Sequence, residues 1–132
     1  ALAELSYWAT RGQEVDDWKR SLTTIIDARR RQGCDIRLID FSGFNRITTE
    51  EIPQATGRED MRYYWEQSHY RSEVGQAILE RLFREGRQDE GDDFGVDLSG
   101  ATIEQHLREF NTKRRDYISS HPRETRNMIG NP

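Results

Sequence analysis

Glu66 and His69 stand three residues apart in Tyr63-Tyr64-Trp65-Glu66-Gln67-Ser68-His69-Tyr70, the densest aromatic stretch of the chain. A histidine acting as general base presents one ring nitrogen to a nucleophile. A carboxylate on the other nitrogen fixes the tautomer and stabilises the imidazolium that forms. Glu66, one turn earlier on irregular chain, is within reach of that nitrogen. Tyr64, Trp65 and Tyr70 would wall such a site and limit access of water. The same spacing also fits a capped turn with a surface salt bridge. It fits two metal ligands as well, since carboxylate–histidine pairs three apart on a helix bind metals in bundles. The sequence has no second Glu-x-x-His pair and no obvious third ligand, so the acid–base reading ranks above a metal site. No cofactor is expected. His106, beside Leu107, and His121, beside Pro122, read as surface residues.

The elements that must position His69 follow from periodicity. Residues 1–33 read as helical: a short helix over Ala1–Trp8 ends near Gly12, and a longer one starts at Asp16-Asp17. Val15, Trp18, Leu22, Ile25, Ile26 and Arg29 recur at three and four and make one stripe. Gly33, after Arg29-Arg30-Arg31-Gln32, is a stop signal. Residues 35–41 (Asp35-Ile36-Arg37-Leu38-Ile39-Asp40-Phe41) are short and rich in branched side chains, as in a buried strand of a parallel sheet. A long connection over 42–70 follows, broken by Pro53. A helix over 71–85 carries Val74, Ile78, Leu79, Leu82 and Phe83. Residues 86–97 are rich in glycine and acid and read as an exposed loop. A last helix over 102–120 opens on a capping box, Thr102 with Gln105, and buries Ile103, Leu107, Phe110 and Tyr117. Residues 122–132 read as a flexible tail.

Composition excludes several classes. Hydrophobic and charged residues each make up 33% of the 132 residues, so the core is economical and no apolar run approaches a membrane span. A formal charge of −4 argues against a nucleic-acid partner, which selects a basic field. The Arg29-Arg30-Arg31 run reads as a solvated helix end complementing the dipole. Cys34, the single cysteine, cannot form an internal disulfide and reads as a small packing residue. The start at Ala1, already helical in pattern, reads as processed or truncated.

Asp40-Phe41-Ser42-Gly43-Phe44-Asn45, then Thr48-Thr49-Glu50, then Tyr64 to Tyr70, then Gly75 and Ile78-Leu79 resembles the C-terminal block of bacterial proteins of the SGNH/GDSL-like hydrolase superfamily. In that superfamily the last catalytic block reads Asp-x-x-His, with a glycine several residues later in the final helix. Glu66-x-x-His69 and Gly75 stand in those places, with glutamate replacing the usual aspartate. The likeness spans about residues 13–85, with 102–120 as an added helix.

The resemblance implies an α/β fold: a helix-rich part of a flavodoxin-like three-layer α/β/α unit, with one or two parallel strands, over residues 1–121. It implies a serine esterase in which His69 is the base and Glu66 orients it. The blocks carrying the nucleophilic serine and the oxyanion hole lie upstream in that superfamily and are not identifiable here. Ser42 precedes Gly43 after a strand, but in the strand where the superfamily has no nucleophile; Ser42 and Ser68 are therefore taken as structural. The chain alone is then expected to be inactive, and to pair with a missing N-terminal segment or with another copy. The resemblance further implies an acylated glycan substrate and a cell-envelope or periplasmic setting. The rival reading is a non-catalytic interaction domain that uses the aromatic cluster 63–70 as contact residues.

Overall fold

The computed structural model describes residues 2–51, 61–65, 69–83, 93–122 and 125, with side chains from residue 11 onward. It is a mixed, helix-rich α/β structure: α1 (Leu2–Arg31), β1 (Ile39–Asp40), α2 (Ser72–Phe83), β2 (Val96–Asp97) and α3 (Ile103–Ser120). The expected break between two N-terminal helices is a kink at Arg11, whose φ of −137° and ψ of 25° interrupt α1 beside Gly12. At the other end the chain leaves α1 through a Schellman turn. Gly33 takes a φ of +87°, its N–H donates to the Arg30 carbonyl, and the Cys34 N–H donates to the Arg29 carbonyl. Cys34 itself is exposed and packs no core.

The stripe read from α1 is only partly the face it buries: Val15, Leu22 and Ile26 are half-buried. Trp18 and Ile25 are 59% and 57% exposed, whereas Lys19 and Thr23 are buried. The inward side is a polar seam of Asp16, Lys19, Thr23, Asp27 and Arg30. Asp16 accepts from Asn111 of α3, and Arg30 donates to the carbonyls of Ile36 and Leu98. Asp27 accepts from the Gly100 N–H. Periodicity finds a helix face but cannot tell apolar side chains facing this core from apolar side chains left outside it.

The strand expected over 35–41 is regular only at Ile39–Asp40, and its partner is antiparallel rather than parallel, with Ile39 opposite Asp97 and Asp40 opposite Val96. The partner comes from the stretch read as an exposed loop. Phe94 and Gly95 there are buried, and Gly95 turns the chain with a φ of +82°. Arg37 and buried Arg81 both pair with Asp97, and Arg81 also donates to the Gly95 carbonyl, which fixes the direction of β2.

Two apolar clusters flank this ribbon. Ile47, Val74 and Phe94 pack with Phe41, Tyr63, Tyr64, Ala77 and Ile78 on the α2 side. Leu98, Ile103 and Leu107 pack with Leu38 and Val96 on the α3 side. The α3 face expected at Ile103, Leu107 and Phe110 is buried. The expected capping box is not formed. Thr102 makes no side-chain cap to the helix and instead accepts from the Ser99 N–H, while Gln105 donates to Glu109.

Gly43 and Gly75 contrast in what a side chain would meet. At Gly43, where φ is +99°, an added Cβ would lie 2.8 Å from the ring of buried Phe110; at Gly75, inside α2, it would meet nothing within 4 Å. Gly43→Ala is expected to cost about 2 kcal/mol. Gly75→Ala should add about 0.5–1 kcal/mol by relieving glycine's helix penalty. Urea midpoints of the two variants, moving in opposite directions from wild type, are the check.

Candidate functional site

His69 is carried by a short hairpin. Tyr64 and Tyr70 form an antiparallel bridge, flanked by hydrogen bonds from the Trp65 N–H to the His69 carbonyl and from the Arg71 N–H to the Tyr63 carbonyl. The hairpin base is anchored from the preceding loop. The Glu50 carboxylate accepts from the N–H groups of Arg62 and Tyr63. Glu50 is placed by a turn that Asn45 organises: buried Asn45 accepts at its side-chain oxygen from the N–H of Ile47 and Thr48, both at 3.0 Å. Thr49 donates back to the Asn45 carbonyl at 2.7 Å. Asx-type bonding of this kind gives a connection a defined path without regular structure.

Alternation along the hairpin sorts its side chains. Tyr63, Trp65, His69 and Arg71 share one face, and Tyr64 and Tyr70 share the other. His69, Trp65 and Tyr70 are exposed, and Tyr64 is half-buried against the α2-side cluster. Trp65 is thus a same-face neighbour of His69, while Tyr70 lies across the ribbon from it. The Arg71 guanidinium sits 3.8 Å from the centroid of the Trp65 ring. Glu66, Ser68, the connection at 52–60 and the helix end at 84–85 lie outside the described residues, as does all of the tail 122–132 except Pro122 and Thr125. Among the described residues no three His, Cys, Asp or Glu side chains gather as metal ligands.

A second, buried constellation joins α1, β1 and α3. Lys19 Nζ lies 2.5 Å from Asp40 Oδ2, and His106 Nε2 lies 2.9 Å from the same oxygen. Ser42 donates through its hydroxyl to Asp40 Oδ1 at 2.6 Å and through its backbone N–H at 2.9 Å. Lys19 also donates to the Ser42 hydroxyl oxygen at 2.9 Å. His106 is therefore not the surface residue expected from its neighbour Leu107; its side chain is 11% exposed. Its sequence signal was present: it falls one position before Leu107 and four before Phe110, on the edge of the buried stripe. Burial alone would raise the Asp40 carboxyl. The His106 hydrogen bond, the charge and hydrogen bond of Lys19 and the Ser42 hydroxyl outweigh it and hold Asp40 well below the ordinary carboxylate range.

Chemically, this cluster is a clamp rather than a nucleophile and base. A carboxylate so strongly stabilised is a poor proton acceptor. Ser42 donates its hydroxyl hydrogen bond to Asp40 and accepts one from Lys19, so its proton faces a strongly stabilised carboxylate rather than a base among the described residues. The adjoining cavity, lined by Ser42, Asn45, His106 and Phe110 among others, has a volume of about 50 Å³, room for one or two waters. Among the described residues no helix is long and apolar enough to cross a membrane.

Asp40→Asn leaves the buried Lys19 ammonium without its counter-ion and is expected to cost about 3–5 kcal/mol in urea unfolding. A Lys19→Met change in the Asp40→Asn background should recover part of that loss. Because the folded Asp40 carboxyl is depressed, its contribution is complete above about pH 5, where an ordinary carboxylate of pKa about 3.9 is already ionised. It is lost as pH falls below about 5 towards the folded value. Wild-type stability should therefore drop over that acid range more steeply than that of the double variant. No protein-family model matches this chain, and no curated protein or solved structure matches it either.

Proposed function

We propose that this chain is the C-terminal part of an SGNH-type serine esterase, a three-layer α/β/α unit whose sheet is completed by another segment, and that it supplies His69 as general base. The observation that carries the reading is the presentation of His69. It is exposed on a hairpin braced by Glu50, between the β1 strand and α2, while Ser42 is committed elsewhere. In the proposed reaction a serine from the missing segment attacks the acyl carbonyl, and His69 takes its proton. His69 returns that proton to the leaving alkoxide, which frees the alcohol and leaves an acyl-enzyme. Water then attacks the acyl-enzyme with its proton passing to His69, and the serine recovers that proton as the acid departs. Glu66 is the proposed orienting carboxylate.

The outward faces support a missing partner surface. Trp18 and Ile25 on α1, and Leu79, Leu82 and Phe83 on α2, are exposed. Large apolar side chains left out of a small core signal a surface that another segment or another copy covers. The rival reading, a non-catalytic contact domain, is favoured by the exposure of Trp65 and Tyr70, residue types enriched at interaction hot spots.

Light scattering of the purified chain should show self-association, or capture of the supplied N-terminal segment; a monomer that ignores that segment would count against the reading. The chain alone should not turn over nitrophenyl acetate. The protein joined to its upstream segment should do so, with His69→Ala lowering kcat by about 1,000-fold or more. If His69→Ala is silent while Trp65→Ala abolishes function, the contact-domain reading prevails.

A further inference from the structure

One side of β1 is paired and the other is open. The Leu98 N–H donates to the Leu38 carbonyl, Ile39 stands opposite Asp97, and Asp40 stands opposite Val96. In an antiparallel ladder, hydrogen-bonded pairs alternate with non-bonded ones. Leu38–Leu98 and Asp40–Val96 are therefore the bonded pairs, and the N–H and C=O of Ile39 point away from β2. Neither group has a hydrogen-bond partner among the described residues. An unpaired strand edge is a template for another strand.

α1 runs beside this edge in the opposite direction. Arg30, near its end, donates to the Ile36 carbonyl, and Lys19, earlier in the helix, reaches Asp40. Leu22 and Ile39 accordingly border one cavity of about 80 Å³, which Trp18, Leu38 and Leu98 also line. Trp18 and Ile25 flank Leu22 at spacings of four and three, and both are exposed. An apolar helix stripe and an open strand edge thus lie side by side.

A second copy of the chain complements both. Exposed Glu14 lies towards the start of α1, and Arg29 to Arg31 form its last turn. Two α1 helices packed antiparallel about a point beside Leu22 set Trp18 against the partner's Ile25 and Glu14 against the partner's Arg29. Parallel packing would align like charges. Two β1 strands paired antiparallel about Ile39 exchange its N–H and C=O with those of the partner's Ile39. That register sets Arg37 opposite Phe41 and keeps the two Arg37 side chains apart. Leu22 and Ile39 border the same cavity, so one two-fold axis serves helix and strand together, as a self-complementary interface requires.

We propose that two copies of this chain associate across that axis, joining their β1 strands edge to edge and packing their α1 stripes together. Of the two covers that the esterase reading allows for the outward faces, the inference commits to the second copy, and it needs no catalysis.

Sedimentation velocity of the purified chain should show a concentration-dependent dimer. Trp18→Glu and Ile39→Pro should each weaken it about tenfold or more. The Ile39 N–H points out of the ladder, so proline there removes no bond within the fold. Glu14→Arg or Arg29→Glu alone should weaken the dimer about threefold at low salt, and the two changes together should restore it. In a Cys34→Ser background, Ile39→Cys should form an interchain disulfide under mild oxidation, because a bonded antiparallel pair brings Cα atoms to about 5.5 Å; Arg37→Cys should not. Each variant is matched to wild type by far-ultraviolet circular dichroism. A monomer, a dimer that survives both Trp18→Glu and Ile39→Pro, charge changes that the double exchange does not rescue, or equal cross-linking at 39 and 37 would overturn the proposal. Capture of an upstream segment at Ile39 in place of the second copy would overturn it too. A dimer of this kind, with hydrolysis by the longer protein independent of His69, would sink the esterase reading and spare this one. His69-dependent hydrolysis by the longer protein together with a monomeric chain would sink this one alone.

Discussion

Lys19 reaches from the middle of α1 to Asp40 at the end of β1, and on Asp40 it meets His106 from α3. Two charges removed from water are costly unless each finds several partners. Here Asp40 takes the lysine, the histidine, and both the hydroxyl and the N–H of Ser42. The aromatic ring of Phe110 lies 4.6 Å from the same ammonium. Three elements and the start of the long connection are thus tied at one point. The chain needs such a clamp because its apolar clusters are small, and Trp18 and Leu22 of α1 meet Leu38 and Leu98 around a cavity rather than a filled core. With one partner removed, the other becomes a buried uncompensated charge.

From that point the path to His69 is a relay of local hydrogen bonds. Ser42 and Gly43 leave the clamp, Asn45 caps the next turn, and Glu50 holds the foot of the hairpin. Ile47 and Phe44 also pack inward from this stretch, but with no regular spacing, so the sequence looks like an unstructured connection. The side chains that set its course, Asn45, Thr48, Thr49 and Glu50, are individually ordinary. Only their spacing, which lets a side-chain oxygen meet an N–H two or three residues on, carries the information.

The legible parts of the fold were those governed by one-dimensional rules. Gly33 ends α1 because a left-handed residue lets the last carbonyls be satisfied. Ile103, Leu107 and Phe110 face inward because 3.6-residue periodicity and burial agree there. The illegible parts were those in which tertiary partners decide. The polar seam of α1 is invisible to a hydrophobic pattern, since Lys19 and Thr23 are buried only because Asp40 and its neighbours are. The antiparallel course of β2 depends on Arg37 and Arg81 converging on Asp97 from separate elements. His106 read as surface because its partner lies 66 residues away. At the candidate site, the grouping of Trp65 with His69 and the separation of Tyr70 follow from hairpin register, which no periodicity over eight residues can fix. The clamp and the bonded relay together set the path of the chain to the hairpin that carries His69.

The most direct measurement is fluorophosphonate labelling read by mass spectrometry, since that reagent marks only a serine activated by a base. The account predicts no label on this chain by itself. In the protein that includes the proposed upstream segment, it predicts label on a serine outside these 132 residues, lost in His69→Gln. Label on Ser42, or label that survives His69→Gln, would contradict it.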